Sequence, residues 1–174
     1  GGEVLEPTDA VIASPPMVKM EAGAQQQFRV MRVKPSDKQA EEAYRLIVDE
    51  LPAPDAKPRK GIQLVMRYSL PLFVNVQNNA EPKLQWRAEK AANGKAVLVA
   101  ENTGNAHAQL SNITFQTTSA KDALTLASGL AGYVLPGNTW KRELEVSPAS
   151  LNPGRLNATV NGMPIQTEVR FAAP

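Results

Sequence analysis

Gly61-Ile62-Gln63-Leu64-Val65-Met66-Arg67-Tyr68-Ser69-Leu70-Pro71-Leu72-Phe73-Val74 is the stretch whose pattern decides the fold. Ile62, Leu64, Met66, Tyr68, Leu70 and Leu72 alternate with a mostly different set, Gln63, Val65, Arg67, Ser69, Pro71 and Phe73. A strand sends successive side chains to opposite faces, so the pattern predicts one strand with a long apolar row on one face. At ~3.3 Å per residue it would run roughly 40 Å, about twice the usual length. Val65 and Phe73 make the second face partly apolar as well. A small sandwich needs less strand than this, and the excess points to a strand that also serves another polypeptide.

The surrounding 174 residues have an ordinary globular make-up, 43% hydrophobic and 21% charged, long enough for one medium domain or two small ones. Aromatic residues are only 5%, so a core must come mainly from Val, Leu, Ile, Ala and Met. Fourteen prolines and eleven glycines suit a sheet protein with many turns better than a helical one. A formal charge of +2 is too small to argue for nucleic acid, and the densest basic cluster, Lys57-Pro58-Arg59-Lys60, is most simply a solvated loop. The absence of cysteine excludes disulfides, thiolate catalysis and cysteine-held metals, but does not fix the compartment. No apolar run approaches the roughly 20 residues that span a bilayer. No signal peptide is visible, and a start at Gly1 instead of methionine reads as a processed or truncated product.

Short strands are expected on both sides of the long one. Before it, Val11 to Glu21 reads as a strand broken by Ser14-Pro15-Pro16, and Gln26 to Val33 as a half-buried strand. Tyr44 to Leu51 follows, where β-branched Ile47-Val48 and Pro52 outweigh the helical turn that Glu41-Glu42 could open. Asn75 to Pro82 has the polar composition of a linker. Beyond it, strands recur at Leu84 to Lys90, Ala96 to Asn102, Gln109 to Thr117, Ala123 to Tyr133, Trp140 to Val146, Leu156 to Val160 and Ile165 to Phe171. Asn93-Gly94 and Asn161-Gly162 are strong hairpin signals. About seven strands in roughly 90 residues is the count of an immunoglobulin-like sandwich. The first part, with about four strands, looks incomplete for such a sandwich because partners for its buried faces are missing. The expected architecture is all-β. It comprises a partial first immunoglobulin-like domain over 1–74 containing the long strand 61–74, a linker over 75–82, and a second immunoglobulin-like domain over 83–174.

Several segments taken together resemble the PapD-like periplasmic pilus chaperones. Ser14-Pro15-Pro16-Met17-Val18-Lys19-Met20-Glu21-Ala22-Gly23 followed by Gln27-Phe28-Arg29-Val30 is similar to the family's Thr/Ser-Pro-Pro strand, short turn and Arg-containing strand. Tyr44-Arg45-Leu46-Ile47-Val48-Asp49-Glu50-Leu51-Pro52 is similar to the family strand that ends in an acidic-apolar-Pro sequence, and the long alternating strand occupies the place of the family's donor strand. Arg67-Tyr68-Ser69-Leu70-Pro71-Leu72-Phe73-Val74, Leu130-Ala131-Gly132-Tyr133-Val134-Leu135-Pro136-Gly137 and Gly162-Met163-Pro164 resemble the alternative, or archaic, chaperone–usher branch. The resemblance spans nearly the whole chain and rests on order and spacing.

The resemblance implies two immunoglobulin-like domains and about three more strands before Gly1. It also implies a periplasmic chaperone that holds pilus subunits (pilins) by donor-strand complementation and delivers them to an outer-membrane usher, with no cofactor. Ile62, Leu64, Met66 and Tyr68 fall where the family places its donor residues. A second family feature is a cationic pair that grips the subunit's C-terminal carboxylate. One of those cations would precede Gly1 and the place of the other holds Pro71, so Arg29, Arg32 and Arg67 are the candidates for the anchor here. Open strand edges also make self-association or strand exchange an expectation. The alternative is a structural or adhesive immunoglobulin-like surface protein that uses the same strand as ordinary core.

Other signals carry less. His107 lies beside a Gly-Asn turn without partners at metal-ligand spacing and is expected as an exposed loop histidine, so no metal site is expected. Asp49 and Glu50 are adjacent, hence on opposite faces of a strand, and cannot act as a carboxylate pair. Asn112-Ile113-Thr114 and Asn157-Ala158-Thr159 match the glycosylation pattern by chance. Trp86, Trp140 and Tyr133 are expected in the core. No nucleophile–base set is present, and no enzyme is expected.

Overall fold

The computed structural model describes residues 4–52, 64–74, 78–117, 122–145 and 153–171. These form eleven strands and no helix: β1 (Val11–Ser14), β2 (Arg29–Arg32), β3 (Glu42–Asp49), β4 (Arg67–Val74), β5 (Leu84–Lys90), β6 (Ala96–Asn102), β7 (Ala108–Thr117), β8 (Leu124–Val134), β9 (Thr139–Leu144), β10 (Gly154–Val160) and β11 (Met163–Val169). The chain divides into two compact units. One comprises Gly1–Lys38 with Glu42–Val74, the other Gln39–Glu41 with Asn75–Pro174.

The second unit is a sandwich of two antiparallel sheets, β5-β6-β9 and β11-β10-β7-β8. Asn93-Gly94 and Asn161-Gly162 make the tight connections β5–β6 and β10–β11. Asn161 and Gly162 both have positive φ (49° and 81°), the backbone that a two-residue hairpin requires and that Asn and Gly tolerate. Ala96, Leu98, Ala100 and Leu144 from one sheet meet Leu110, Ile113, Phe115, Leu126, Val134 and Leu156 from the other, all buried. Gly154 is obligatory there, because a Cβ would stand 2.1 Å from the Phe115 ring. On the outer face of the three-stranded sheet, Val97 and Val99 are also buried. They share that face with Arg87, Glu89, Lys141 and Glu143, whose alkyl stems cover them while the charges pair at the surface, Lys141 with Glu89 at 3.1 Å and Arg87 with Glu101 at 2.7 Å.

A single buried amide closes one end of this sandwich. Asn102, fully buried at the end of β6, donates from Nδ2 to the carbonyls of Ala106 (2.7 Å) and Val134 (2.9 Å). Its Oδ1 accepts from the N–H groups of Lys83 and Gly104, both at 3.0 Å. Every hydrogen-bonding position of the amide is filled, which is what allows it to be buried.

The first unit is built differently. Its described strands form two ribbons, β1–β2 and β3–β4, each of two antiparallel strands. All the buried hydrophobic residues among the described ones belong to the second unit. In the first unit Ile12, Met31, Ile47 and Val48 remain exposed, and Val4–Thr8, β1, Val30, part of β3 and Leu72 line an apolar depression of about 480 Å³.

Two expectations need correction. The long strand is shorter than its pattern suggested: β4 begins at Arg67, residues 64–66 are described but not in a strand, and 61–63, including Ile62, lie outside the described residues. The ladder ends there because β3, its one partner among the described residues, ends at Asp49; a last pair of bonds joins Glu50 to Met66. His107 is half-buried, not an exposed loop histidine, because residues far earlier in the chain, ending at Glu41, pack on it.

Replacing Asn102 by Ala would leave two carbonyls and two N–H groups buried without partners. The second unit should lose about 3 kcal/mol or more of stability. Urea unfolding followed by the fluorescence of Trp86 and Trp140, the chain's two tryptophans, both in that unit, measures it.

Candidate functional site: the open edge of the β3–β4 ribbon

β3 reads Glu-Ala-Tyr-Arg-Leu-Ile-Val-Asp and β4 Arg-Tyr-Ser-Leu-Pro-Leu-Phe-Val, both rich in the β-branched and aromatic residues that fit a pleated surface. They pair in register over their full lengths, from Glu42 opposite Val74 to Asp49 opposite Arg67. Directly opposed residues share a face, so Tyr68, Leu70 and Leu72 line up with Val48, Leu46 and Tyr44 on one side of the ribbon. Among the described residues β4 has no partner on its other edge. That edge explains Pro71, since a proline is tolerated within a strand only where no ladder donor is required of it.

Of the expected donor residues, Leu64 is 81% exposed, Met66 51% and Tyr68 51%. Val65 and Leu70 are exposed as well, so the segment from 64 to 70 presents apolar side chains to solvent, and from Arg67 onward the outer edge of β4 has no partner strand among the described residues. Each such group has lost nothing to water yet and stands ready to pair with another strand.

The three candidate arginines stand in different surroundings. Arg67 sits at the start of β4 with Nε and Nη2 on the two carboxylate oxygens of Asp49, at 2.5 and 2.9 Å; this forked bond holds the Asp49 carboxyl below its ordinary range. Arg32 places Nη2 3.0 Å from Glu42, while its Nε is buried without a hydrogen-bond partner. Arg29 is exposed on β2, opposite Ser14. The arginines are therefore not gathered into one cationic cluster by any contact described.

A polar network that the strand pattern does not announce joins the two ribbons of the first unit. Glu42 accepts from the hydroxyls of Ser36 and Tyr44, each at 2.9 Å, and pairs with Arg32 at 3.0 Å and Lys38 at 3.8 Å. Burial works to raise the Glu42 carboxyl, but the Ser36 and Tyr44 hydrogen bonds and the charges of Arg32 and Lys38 outweigh it and leave it lowered. The signal was present in the sequence as Ser36, Glu42 and Tyr44 around a turn and a strand start, though spacing alone does not say that the three side chains converge.

Residues 3–78 match the family model of the PapD N-terminal domain, described as a pili and flagellar-assembly chaperone. No curated protein sequence matches the chain significantly. Among solved structures, the chain is similar to one in the crystal structure of the CsuC–CsuE chaperone–tip adhesion subunit pre-assembly complex from archaic chaperone–usher Csu pili of Acinetobacter baumannii. The TM-score is 0.61 and the identity 27%, over 95% of this chain and 76% of that one. The all-β fold with its ribbon and sandwich is thus the immunoglobulin-like fold of the pilus chaperones. Residues 3–78 thus match the family of PapD-like pilus-assembly chaperones, and the chain's fold is similar to that of a protein from an archaic chaperone–usher complex. This family is non-enzymatic.

A carboxyl lowered in the folded state stabilises the fold above the ordinary glutamate range, and that contribution is lost as pH falls through the folded-state value. Amide exchange in β2 and β3, corrected for the intrinsic rate, should therefore accelerate as the solution is acidified through and below that range. Glu42→Gln should exchange faster near neutrality and lose most of the pH dependence.

Proposed function

We propose that this chaperone binds pilus subunits by donor-strand complementation in the periplasm and passes them to an outer-membrane usher. The observation that carries the proposal is the exposed apolar row over residues 64–70, which continues into β4, a strand whose outer edge has no partner among the described residues. A subunit that lacks one strand has an open groove. The chaperone segment enters it, its backbone completing the subunit's ladder and its alternating side chains filling pockets in the subunit's core. Leu64, Met66 and Tyr68 are the described residues of this donor row, and Ile62 extends it by sequence. Pro71 has no N–H to give, so strand pairing is best supported on the Leu64–Leu70 side of it. That the CsuC–CsuE structure is a chaperone–tip subunit complex supports a pilus subunit as the partner.

Burying a side chain of this size contributes ~1.5–3 kcal/mol, so three or four give on the order of 5–10 kcal/mol before the losses of ordering. Such a strength suits a subunit that must be held and later released. Of the three arginines considered for the subunit's terminal carboxylate, Arg32 and Arg67 already serve Glu42 and Asp49. Arg29 is therefore the candidate we favour. The domain division that accompanies this function is a binding domain over 1–74, a linker over 75–82 and a second domain over 83–174.

Co-expression with a pilus subunit from the same chaperone–usher system tests the proposal. The native chain should co-purify with the subunit, and Leu64→Asp and Met66→Asp should each weaken the complex by about a hundredfold, since each removes an apolar contact and adds a charge to a dry pocket. Equal recovery of complex from native and both variant chains would defeat the donor-strand role.

A further inference from the structure

The chain has five methionines, Met17, Met20, Met31, Met66 and Met163, and every one of them is exposed, from 42% to 73%. Methionine is ordinarily among the more buried residues, where its flexible thioether fills gaps in a core. Here the core of the second unit is made of Ala, Val, Leu, Ile and Phe, with Trp86 and Trp140 packed against it, and holds no methionine. The sulfur chemistry of this protein is therefore all at its surface.

Four of the five stand apart from the apolar row at 64–70. Met17 and Met20 lie in the connection between β1 and β2, Met31 is on β2 opposite Ile12, and Met163 opens β11 in the second unit. Met66 is placed differently. Its N–H donates to Glu50 Oε2 at 3.1 Å, and its carbonyl accepts from the Glu50 N–H at 2.8 Å. These bonds carry the β3–β4 register one pair beyond Asp49–Arg67, so alternation puts Met66 on the face of Tyr68, in line with Leu70. Its neighbours in the row, Leu64 and Leu70, are hydrocarbon and inert to peroxide. Met66 is the reactive member.

We propose that Met66 is an oxidation switch on the subunit-binding row, turned off when hydrogen peroxide converts its thioether to the sulfoxide; this rests on the donor-strand reading above. In the step, the sulfur attacks one peroxide oxygen and an S–O bond forms as the O–O bond breaks. The released hydroxide takes up the proton of the new S–OH group and leaves as water. Sulfur loses two electrons and the peroxide gains them. A polar, chiral group now stands where an apolar one stood. Covering it in a dry pocket is costly, because its oxygen leaves water with no donor to meet it. Since no methionine lies in the core, the same treatment leaves the packing of the second unit untouched. Methionine sulfoxide reductases, with a dithiol as reductant, remove the oxygen as water and return the row to its apolar state.

Partial oxidation of the full native chain with hydrogen peroxide, stopped while most molecules carry a single sulfoxide, tests the switch. The mixture is offered a limiting amount of a pilus subunit from the same chaperone–usher system. Mass spectrometry then compares each sulfoxide in the bound and unbound pools. Met66 sulfoxide should be depleted about ten- to hundredfold in the bound pool, the loss expected for one apolar contact of this size. Sulfoxides at Met17, Met20, Met31 and Met163 should divide evenly. Fully oxidised chain should unfold in urea as the untreated chain does, by Trp86 and Trp140 fluorescence, and should regain subunit capture after methionine sulfoxide reductases and dithiothreitol. Even division of Met66 sulfoxide, depletion at all five positions, or capture that the reductases do not restore overturns the switch. The two readings fail separately. Leu64→Asp capturing the subunit as well as the untreated native chain defeats donor-strand binding and the switch with it, whereas loss of capture in Leu64→Asp with Met66 sulfoxide evenly divided defeats the switch alone.

Discussion

The first unit depends on a strand edge of β4 that no other described strand covers. A backbone N–H or carbonyl at such an edge is satisfied by water, and it exchanges water for another strand at little net gain or loss. What makes the exchange favourable is the apolar row beside it, because Leu64, Met66, Tyr68 and Leu70 gain only when something dry covers them. In any strand added at such an edge, hydrogen bonding sets the geometry and covered side chains supply most of the strength. Neither alone distinguishes a binding edge from an aggregation-prone one; Pro71, within β4, has no N–H to offer a further strand.

The two units spend their apolar residues in opposite ways. The second packs Leu98, Leu110, Ile113, Phe115 and Leu156 into a closed core, fills every bond of the buried Asn102 amide, and even covers its outer valines with charged side chains. The first leaves many of its described apolar residues exposed and none fully buried, and is held together by ladders and by the Glu42 network. A self-sufficient domain beside one with apolar surface to offer is the arrangement expected of a chaperone whose client completes the packing.

Much of the fold was legible in the residues. The Asn-Gly hairpins and alternating runs gave the strands of the second unit to within a residue or two at most ends, because turn chemistry and period-2 burial are local. Alternation also marked 61–74, but it cannot say where a ladder stops, since that is decided by the partner strand. β4 therefore starts at Arg67, where β3 ends. The surroundings of His107 were not legible for a related reason: a side chain's partner 66 residues away, as Glu41 is from His107, leaves no period in the sequence. The apolar alternation of 64–70 was visible in the sequence, whereas the arginines, each with its own neighbour, could not be ranked without coordinates.

The most direct test of the account is hydrogen–deuterium exchange on residues 64–73 with and without a bound pilus subunit. The account expects the amides of this segment that do not donate to β3 to exchange rapidly in the free chaperone and to slow by orders of magnitude in the complex, while the amides of β6 and β7 stay unchanged. Formation of a stable complex with those outward amides still exchanging at their free rates would contradict it.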